Sequence, residues 1–511
     1  INTTVLAGMT TVQLSGLGSA DIGALTTAQL NALTTVLMSH LTVGQLAGLT
    51  AAQLGSLSTQ NFGALSSTQL SRLTATQLNA LGTQKLSGMT TSQISGFTST
   101  QVAGLSTTSV NALSTTNIAH LTTVQLDTLT AAQIAGLTTT AFGALSSAQL
   151  NSFTTTQVQA IRTTNISSMT TSQFSGISST QLGALQATQL AALSTTIIAG
   201  LTTSQLSGFS SGDIGALTTT QINALTTLLI SNLTATQLDG LTVAQAASMS
   251  TQNFSALTST QISSLTAAQI SAFNTVTLSG MSTGQLSGLT SAQLTGMSTT
   301  ALNALSTTNW SHLSTGQLDS LTAGQLGAIS SVTFSALSST QLNSLTVTQL
   351  AGITAANIAG ITTSQFSGLA STQIGGLTSA QVAALSTTVL ANMSTSQTSG
   401  LQSTDLGALS TVQFNALTTA LIGHLTATQL DGMTTRQAGS ISTQNFSALS
   451  STQIASLTST QVNAFSTIVI GGMTTSQLSG LSTTVIGGMT TTALNALSTT
   501  NWAHLSTVQV T

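Results

Sequence analysis

The 511-residue chain has no proline, no cysteine and no tyrosine, and all seven of its acidic residues are aspartate. Lysine and arginine together number only four. Without cysteine there is no disulfide framework, no thiolate metal site and no cysteine nucleophile. A net charge of −3 over 511 residues leaves no electrostatic footprint for nucleic acid or an anionic membrane. Ordinary soluble domains are about one quarter charged, so this is not ordinary globular composition. No apolar run approaches the ~18 residues of a membrane span. The longest clusters, such as Ile197-Ile198-Ala199-Gly200-Leu201, are broken by Thr or Ser within a few positions. Disorder is excluded from the other side, because the chain is 41% hydrophobic with a mean hydropathy of +0.40 and disordered chains are poor in apolar residues. The chain opens on Ile1 without a basic leader and reads as a segment of something longer.

What is present is repetition. Leu25-Thr26-Thr27-Ala28-Gln29-Leu30-Asn31-Ala32 runs directly into Leu33-Thr34-Thr35-Val36, and the pattern returns at Leu41. The unit is an octad: large apolar, Thr/Ser, Thr/Ser, variable, Gln, large apolar, small, small. Its first position recurs without insertion or deletion up to Leu505, so residues 1–511 form one continuous array of 64 octads less one residue. A longer period lies over it. Leu57-Ser58-Thr59-Gln60-Asn61-Phe62 returns as Met249-Ser250-Thr251-Gln252-Asn253-Phe254 and as Ile441-Ser442-Thr443-Gln444-Asn445-Phe446, steps of 192 residues or 24 octads.

Two folds compete for such a unit, a β-solenoid and a stack of very short helices. Strands need alternation of period two. The apolar positions of the octad are five and then three residues apart, so one strand would put them on opposite faces. The helix explains more. Thr/Ser at position 2 and Gln at position 5 form a capping box, and the apolar residues at positions 1 and 6 are the partners of a hydrophobic staple. Gly or Asn before the next octad suits a left-handed helix end. One octad is too short to be stable alone, so the units must stack into a shared core. The expected fold is therefore an all-α repeat solenoid wound into a rod, with apolar pairs inside and Thr, Ser and Gln outside. The histidines hint at the pitch. His40, His120, His312, His424 and His504 all take position 8, at spacings that reduce to 10 and 14 octads, with Asn232 in the one missing slot. If they share a face, the coil takes two octads per turn.

The same histidines are the leading candidates for chemistry. Asp127, Asp319 and Asp431 follow His120, His312 and His424 by seven residues, and Asp239 follows Asn232 likewise. His–Asp pairs can serve acid–base or metal chemistry, but nothing completes a ligand set, and Asn232 shows that imidazole is dispensable. A hydrogen-bonded contact between adjacent units or between molecules is the reading taken for His40, His120, His312, His424, His504, Asp127, Asp239, Asp319 and Asp431. Asp21, Asp213 and Asp405 replace the capping Gln and can act at the helix start. Trp310 and Trp502 occupy the second apolar position and read as core. Arg72, Lys85, Arg162 and Arg436 are too scattered for a phosphate groove. No Gly-x-Ser-x-Gly elbow with a paired His and acid is evident. No catalytic residue, cofactor or metal is expected.

The run Leu-Thr-Thr-x-Gln-Leu-x-Ala-Leu resembles the tandem arrays of very large, low-complexity surface and secreted proteins of Gram-negative bacteria. Related arrays often carry Pro at position 3; this chain never does. The resemblance implies an extracellular structural or adhesive role without catalytic residues. An uncharged surface lacks the self-repulsion that keeps proteins apart. The function expected is thus a self-assembling extracellular filament, sheath or surface coat whose partners are copies of itself. A rigid adhesin stalk and an ice-binding Thr array are the alternatives.

Overall fold

The computed structural model describes residues 1–510, which contain 64 α-helices and no strand. The chain divides into two compact units, one from Ile1 to Ala256 and the other from Leu257 onward, and the same construction runs through each.

Every described helix is four to six residues long and starts at position 3 of its octad, apart from Gly82–Ser87, which starts at position 2; helix Ala51–Ser56 shows the construction. Thr50 is extended (φ −70°, ψ 159°), and its Oγ1 accepts the Gln53 N–H at 3.2 Å while Gln53 Oε1 accepts the Thr50 N–H at 2.7 Å. That is the full capping box. Leu49 and Leu54, the staple pair, are both buried. At Leu57 the backbone returns to an extended conformation (φ −55°, ψ 140°), and Ser58 caps the next helix, Thr59–Gly63. Extended residues at positions 1 and 2 thus force a corner between helices, whereas at Leu81 (φ −62°, ψ −25°) and Gly82 the corner is made differently.

Stacking sets the pitch. Each helix lies against the third helix along the chain, as Thr203–Leu206 does on Ser179–Leu182 and Ser403–Ala408 on Ser379–Ala384. One turn, or rung, therefore takes three octads, not the two deduced from the histidines. That deduction assumed a common face. At three octads per turn His40 and Asn232 share one side of the first unit, while His120 lies on another. In the second unit His312 and His504 share a side that His424 does not. The long sequence period is then eight whole turns.

The glycines before the corners also have a different reason from the one expected. Among the described residues Gly82 alone has positive φ, at 75°, so helices do not end left-handed. At many corners, though not at Gly200, Gly280 or Gly360, position 8 approaches the backbone of the preceding rung instead. A Cβ on Gly240 would collide with the Ser211 carbonyl oxygen, one on Gly432 with that of Ser403, and one on Gly208 with that of Ser179. Gly44, on helix Val43–Ala47, has open space around it. Gly432→Ala is therefore expected to cost about 1–3 kcal/mol by overpacking. Gly44→Ala should be neutral or stabilising by up to ~1 kcal/mol. Denaturant midpoints followed by circular dichroism compare the two, and equal tolerance would refute the close-approach account.

Candidate functional site: amide clasps between rungs

Most position-5 glutamines are not on the outside. Gln133 and Gln437 are 4% and 1% exposed, because each side chain works at two helix ends. Gln133 Oε1 accepts the Thr130 N–H at 2.7 Å, closing the capping box, while Nε2 donates to the carbonyls of Val102 (2.9 Å) and Leu105 (2.7 Å) in the preceding rung. Val102 lies in the last turn of helix Ser99–Gly104, and Leu105 is its C-cap. Gln437 repeats the arrangement on Thr434 N–H, Leu406 O and Leu409 O. One neutral amide thus joins the start of a helix to the unsatisfied carbonyls at the end of another.

Octads without Gln show what each half of the amide does. Asn117 reaches the preceding rung, donating to Met89 O at 2.9 Å, and does not close its own cap. Asp405, 2% exposed, keeps the acceptor half: its carboxylate takes the Gln402 N–H and the Ser379 hydroxyl, both at 2.9 Å. It has no proton to give downward, and Gln402 Nε2 instead donates to Gly375 O at 2.7 Å. Asp21 and Asp213 likewise accept the N–H of Gly18 and Ser210, so all three serve as the expected helix-start acceptors. Lys85 keeps the donor half, with Nζ on Gly55 O (2.8 Å) and Leu81 O (3.2 Å), and burial lowers its pKa from the ordinary lysine value. Helix Gly82–Ser87 accordingly begins without a side-chain cap.

A second clasp comes from the opposite direction. Asn415, at position 7, accepts the Ser442 N–H on Oδ1 (2.9 Å) and donates from Nδ2 to Ser440 O (2.8 Å), one rung ahead. Asn31, Asn79, Asn111, Asn223, Asn303 and Asn463 do the same. The octads they serve have Asn61, Ser109, Ala141, Asn253, Thr333, Ala493 and, for Asn415, Asn445 at position 5, never Gln. Where Asn151 and Asn343 stand below octads that do have Gln, the N–H of Ser178 and Ala370 is already held by Gln181 and Gln373. Asn at position 7, paired with a missing Gln in the fourth octad after it, was a signal in the sequence that the octad consensus hid.

The histidines are exposed, and each bonds its own helix. Nδ1 of His40, His120, His312, His424 and His504 donates to the carbonyl four residues back, at 2.8–2.9 Å. Asn232 Nδ2 does this on Leu228 O at 2.8 Å. The group needed is one N–H donor for a helix-end carbonyl, which explains why Asn can stand in, and it leaves Nε2 outward. Asp127, Asp239, Asp319 and Asp431 are also exposed, and among the described residues no hydrogen bond or ion pair joins them to the histidines. Trp310 is fully buried with Nε1 on Leu302 O. Trp502 is 47% exposed, because no further rung covers it among the described residues. Gly208-Phe209-Ser210-Ser211-Gly212 has the spacing of a nucleophile elbow, but Ser210 is a helix cap on Asp213. Arg162 takes a cap position without capping, and the buried Asn165 Oδ1 beside it finds no partner.

Residues 1–35, 75–107 and 198–227 match the family model of the ALTTAQ repeat, so those stretches are similar to that repeat. No curated protein matches. Among solved structures, the chain described as "Structure of APUM23-GGAAUUGACGG" aligns over 93% of this chain and 94% of its own at 12% identity. Its TM-score of 0.13 carries no information on fold or function.

Two experiments test the clasps. Gln133→Glu retains the cap acceptor but faces a carboxylate toward the Val102 and Leu105 carbonyls. It is expected to cost about 2–4 kcal/mol at pH 7. Folding then raises the carboxyl pKa above its unfolded value of ~4.3. Stability is therefore retained below that pH and lost as pH rises through the folded pKa, whereas Gln133→Leu should show no such dependence in melts across pH. Separately, Asn415→Ala should lower stability by about 1–2 kcal/mol, and adding Asn445→Gln should restore most of the loss. A double-mutant cycle that came out additive would separate the two clasps.

Proposed function

We propose that this protein is a structural, self-assembling material, a filament, sheath or coat outside the cell, without enzymatic activity. The observation that carries the reading is where the chain spends its polar groups. The position-5 Gln and the clasping Asn hold rung to rung, the capping Thr and Ser hold each helix start, and what faces outward is almost uncharged. Positions 2 to 4 and 7 present hydroxyls, small residues and scattered apolar side chains such as Val12, Val412 and Ile468. Such a face has little charge to repel a second copy. The outward Nε2 atoms of the five histidines, set by their bonded Nδ1, are the proposed points of contact between copies. An extracellular setting follows the resemblance of the octad to the surface and secreted arrays of Gram-negative bacteria; no described helix is long and apolar enough to cross a membrane.

Purified protein is expected to form ordered filaments or lateral bundles in negative-stain micrographs. Replacing all five histidines with alanine should weaken the bundles while leaving the helical circular dichroism intact. Monodisperse single particles by analytical ultracentrifugation at every concentration would instead favour a stalk. Thermal hysteresis in a freezing assay would favour ice binding.

A further inference from the structure

Both clasps are missing from a defined set of corners. In octads whose position 5 is Leu37, Leu229 or Leu421, Ile197 or Val389, or Val469 or Val485, a buried aliphatic side chain stands where the Gln amide would be. The places from which an Asn would reach up from the preceding rung hold Ala7, Ala199 and Ala391 for the first three, Ser167 and Ala359 for the next two, and Gly439 and Ala455 for the last two. Leu37, Leu229 and Leu421 are 192 residues apart in succession, and so are Ile197 and Val389. At these starts the capping hydroxyl still holds the backbone, for example Thr418 Oγ1 accepting the Leu421 N–H. Nothing among the described residues ties the Thr418 N–H to another rung. A clasped corner three octads on, at Ser442, has the Asn415 amide across it.

We infer that these unclasped corners are yield points built into the coil. A corner fastened by an amide must break hydrogen bonds to two backbone groups before its octad can lift from the preceding rung. An unclasped one is retained by apolar packing and its own cap alone. Local opening in a repeat array is governed by such nearest-neighbour terms. Leu37, Leu229 and Leu421, and Ile197 and Val389, recur with the eight-turn period, and Val469 and Val485 add two more open corners in the second unit, so the array yields at set places. For a material that carries load, this gives extension at set places without loss of the whole fold. The inference rests on the corner geometry and stands whether or not the protein assembles.

Hydrogen exchange on the intact chain, read by mass spectrometry at residue resolution, tests it with amides that are equally bonded in both kinds of corner. Ile422 N–H donates to Thr418 O (2.9 Å) and Leu425 N–H to Ile422 O (3.2 Å). Their clasped counterparts are Phe446 N–H on Ser442 O (2.9 Å) and Leu449 N–H on Phe446 O (3.0 Å). After correction for intrinsic rates, Ile422 and Leu425 should exchange about tenfold or more faster than Phe446 and Leu449. Ala391→Asn adds the missing clasp from a partly exposed position, aimed at Thr418 N–H and Ala416 O, and should slow Ile422 and Leu425 by about tenfold while leaving Phe446 and Leu449 unchanged. Leu421→Gln adds it from the other side and gives a second route if either variant fails to fold. Equal rates at the two corners of the unaltered protein would overturn the inference. So would a folded Ala391→Asn or Leu421→Gln chain in which Ile422 and Leu425 exchange as fast as before.

Discussion

The constraint behind this structure is the number of helix ends. A helix leaves four N–H and four C=O groups without intrahelical partners. In a helix of four to six residues that is most of the backbone. Long helices dilute the problem; this chain repeats it 64 times. The position-5 glutamine answers it, because one amide offers an acceptor at one end and a donor at the other. Oε1 closes the start of its own helix, and Nε2 satisfies the carbonyls where a helix of the preceding rung ends. The stacking of rungs and the folding of each octad are therefore one event.

This also accounts for the small residues. The amide reaches carbonyls in the preceding rung only if the rungs lie close, and at Gly240 or Gly432 they lie close enough that a methyl group would strike a carbonyl oxygen. Glycine at the corner is thus a packing residue with ordinary negative φ, and among the described residues its usual licence to adopt positive φ goes unused except at Gly82. Gly82 stands where Lys85 has replaced the glutamine, so the one irregular start and the one cationic clasp coincide.

Much of the local structure was legible in the residues. Thr50 and Gln53 announce a capping box, Leu49 and Leu54 a staple, and both are found as read. What the octad could not reveal was the far end of the glutamine. Nε2 of Gln133 bonds back to Val102 and Leu105, and no single unit contains both partners. The same blindness misled the pitch. The histidines seemed to demand a shared face, yet each needs only its own helix-end carbonyl, as Asn232 shows, so their spacing carries no information about the turn. The divisor that mattered was elsewhere: an N–H at Ser58 or Ser442 without its Gln, and Asn31 or Asn415 in the rung before to take it. That offset spans three octads and the step from position 7 to position 2, which sets the turn at three octads.

The chain's most unusual absence follows from the same amide. A capping box accepts Glu as readily as Gln, and Glu also gains from the helix dipole, yet the sequence contains no Glu at all. Capping alone cannot explain that. The second task can: a carboxylate cannot donate to a carbonyl, and one facing two carbonyl oxygens would be repelled as well as unsatisfied. The three aspartates at position 5 are short enough to stay at the cap, and at Asp405 a neighbouring Gln402 supplies the donor that is lost. Lysine makes the complementary omission, giving a proton downward and leaving the start uncapped. Only a neutral amide does both, so a coil held together in this way admits charge at position 5 only where one of the two tasks is given up, as at Asp405 and Lys85. The nearly uncharged character of its surface, in contrast, is a separate choice, and one that leaves copies of the chain free to meet.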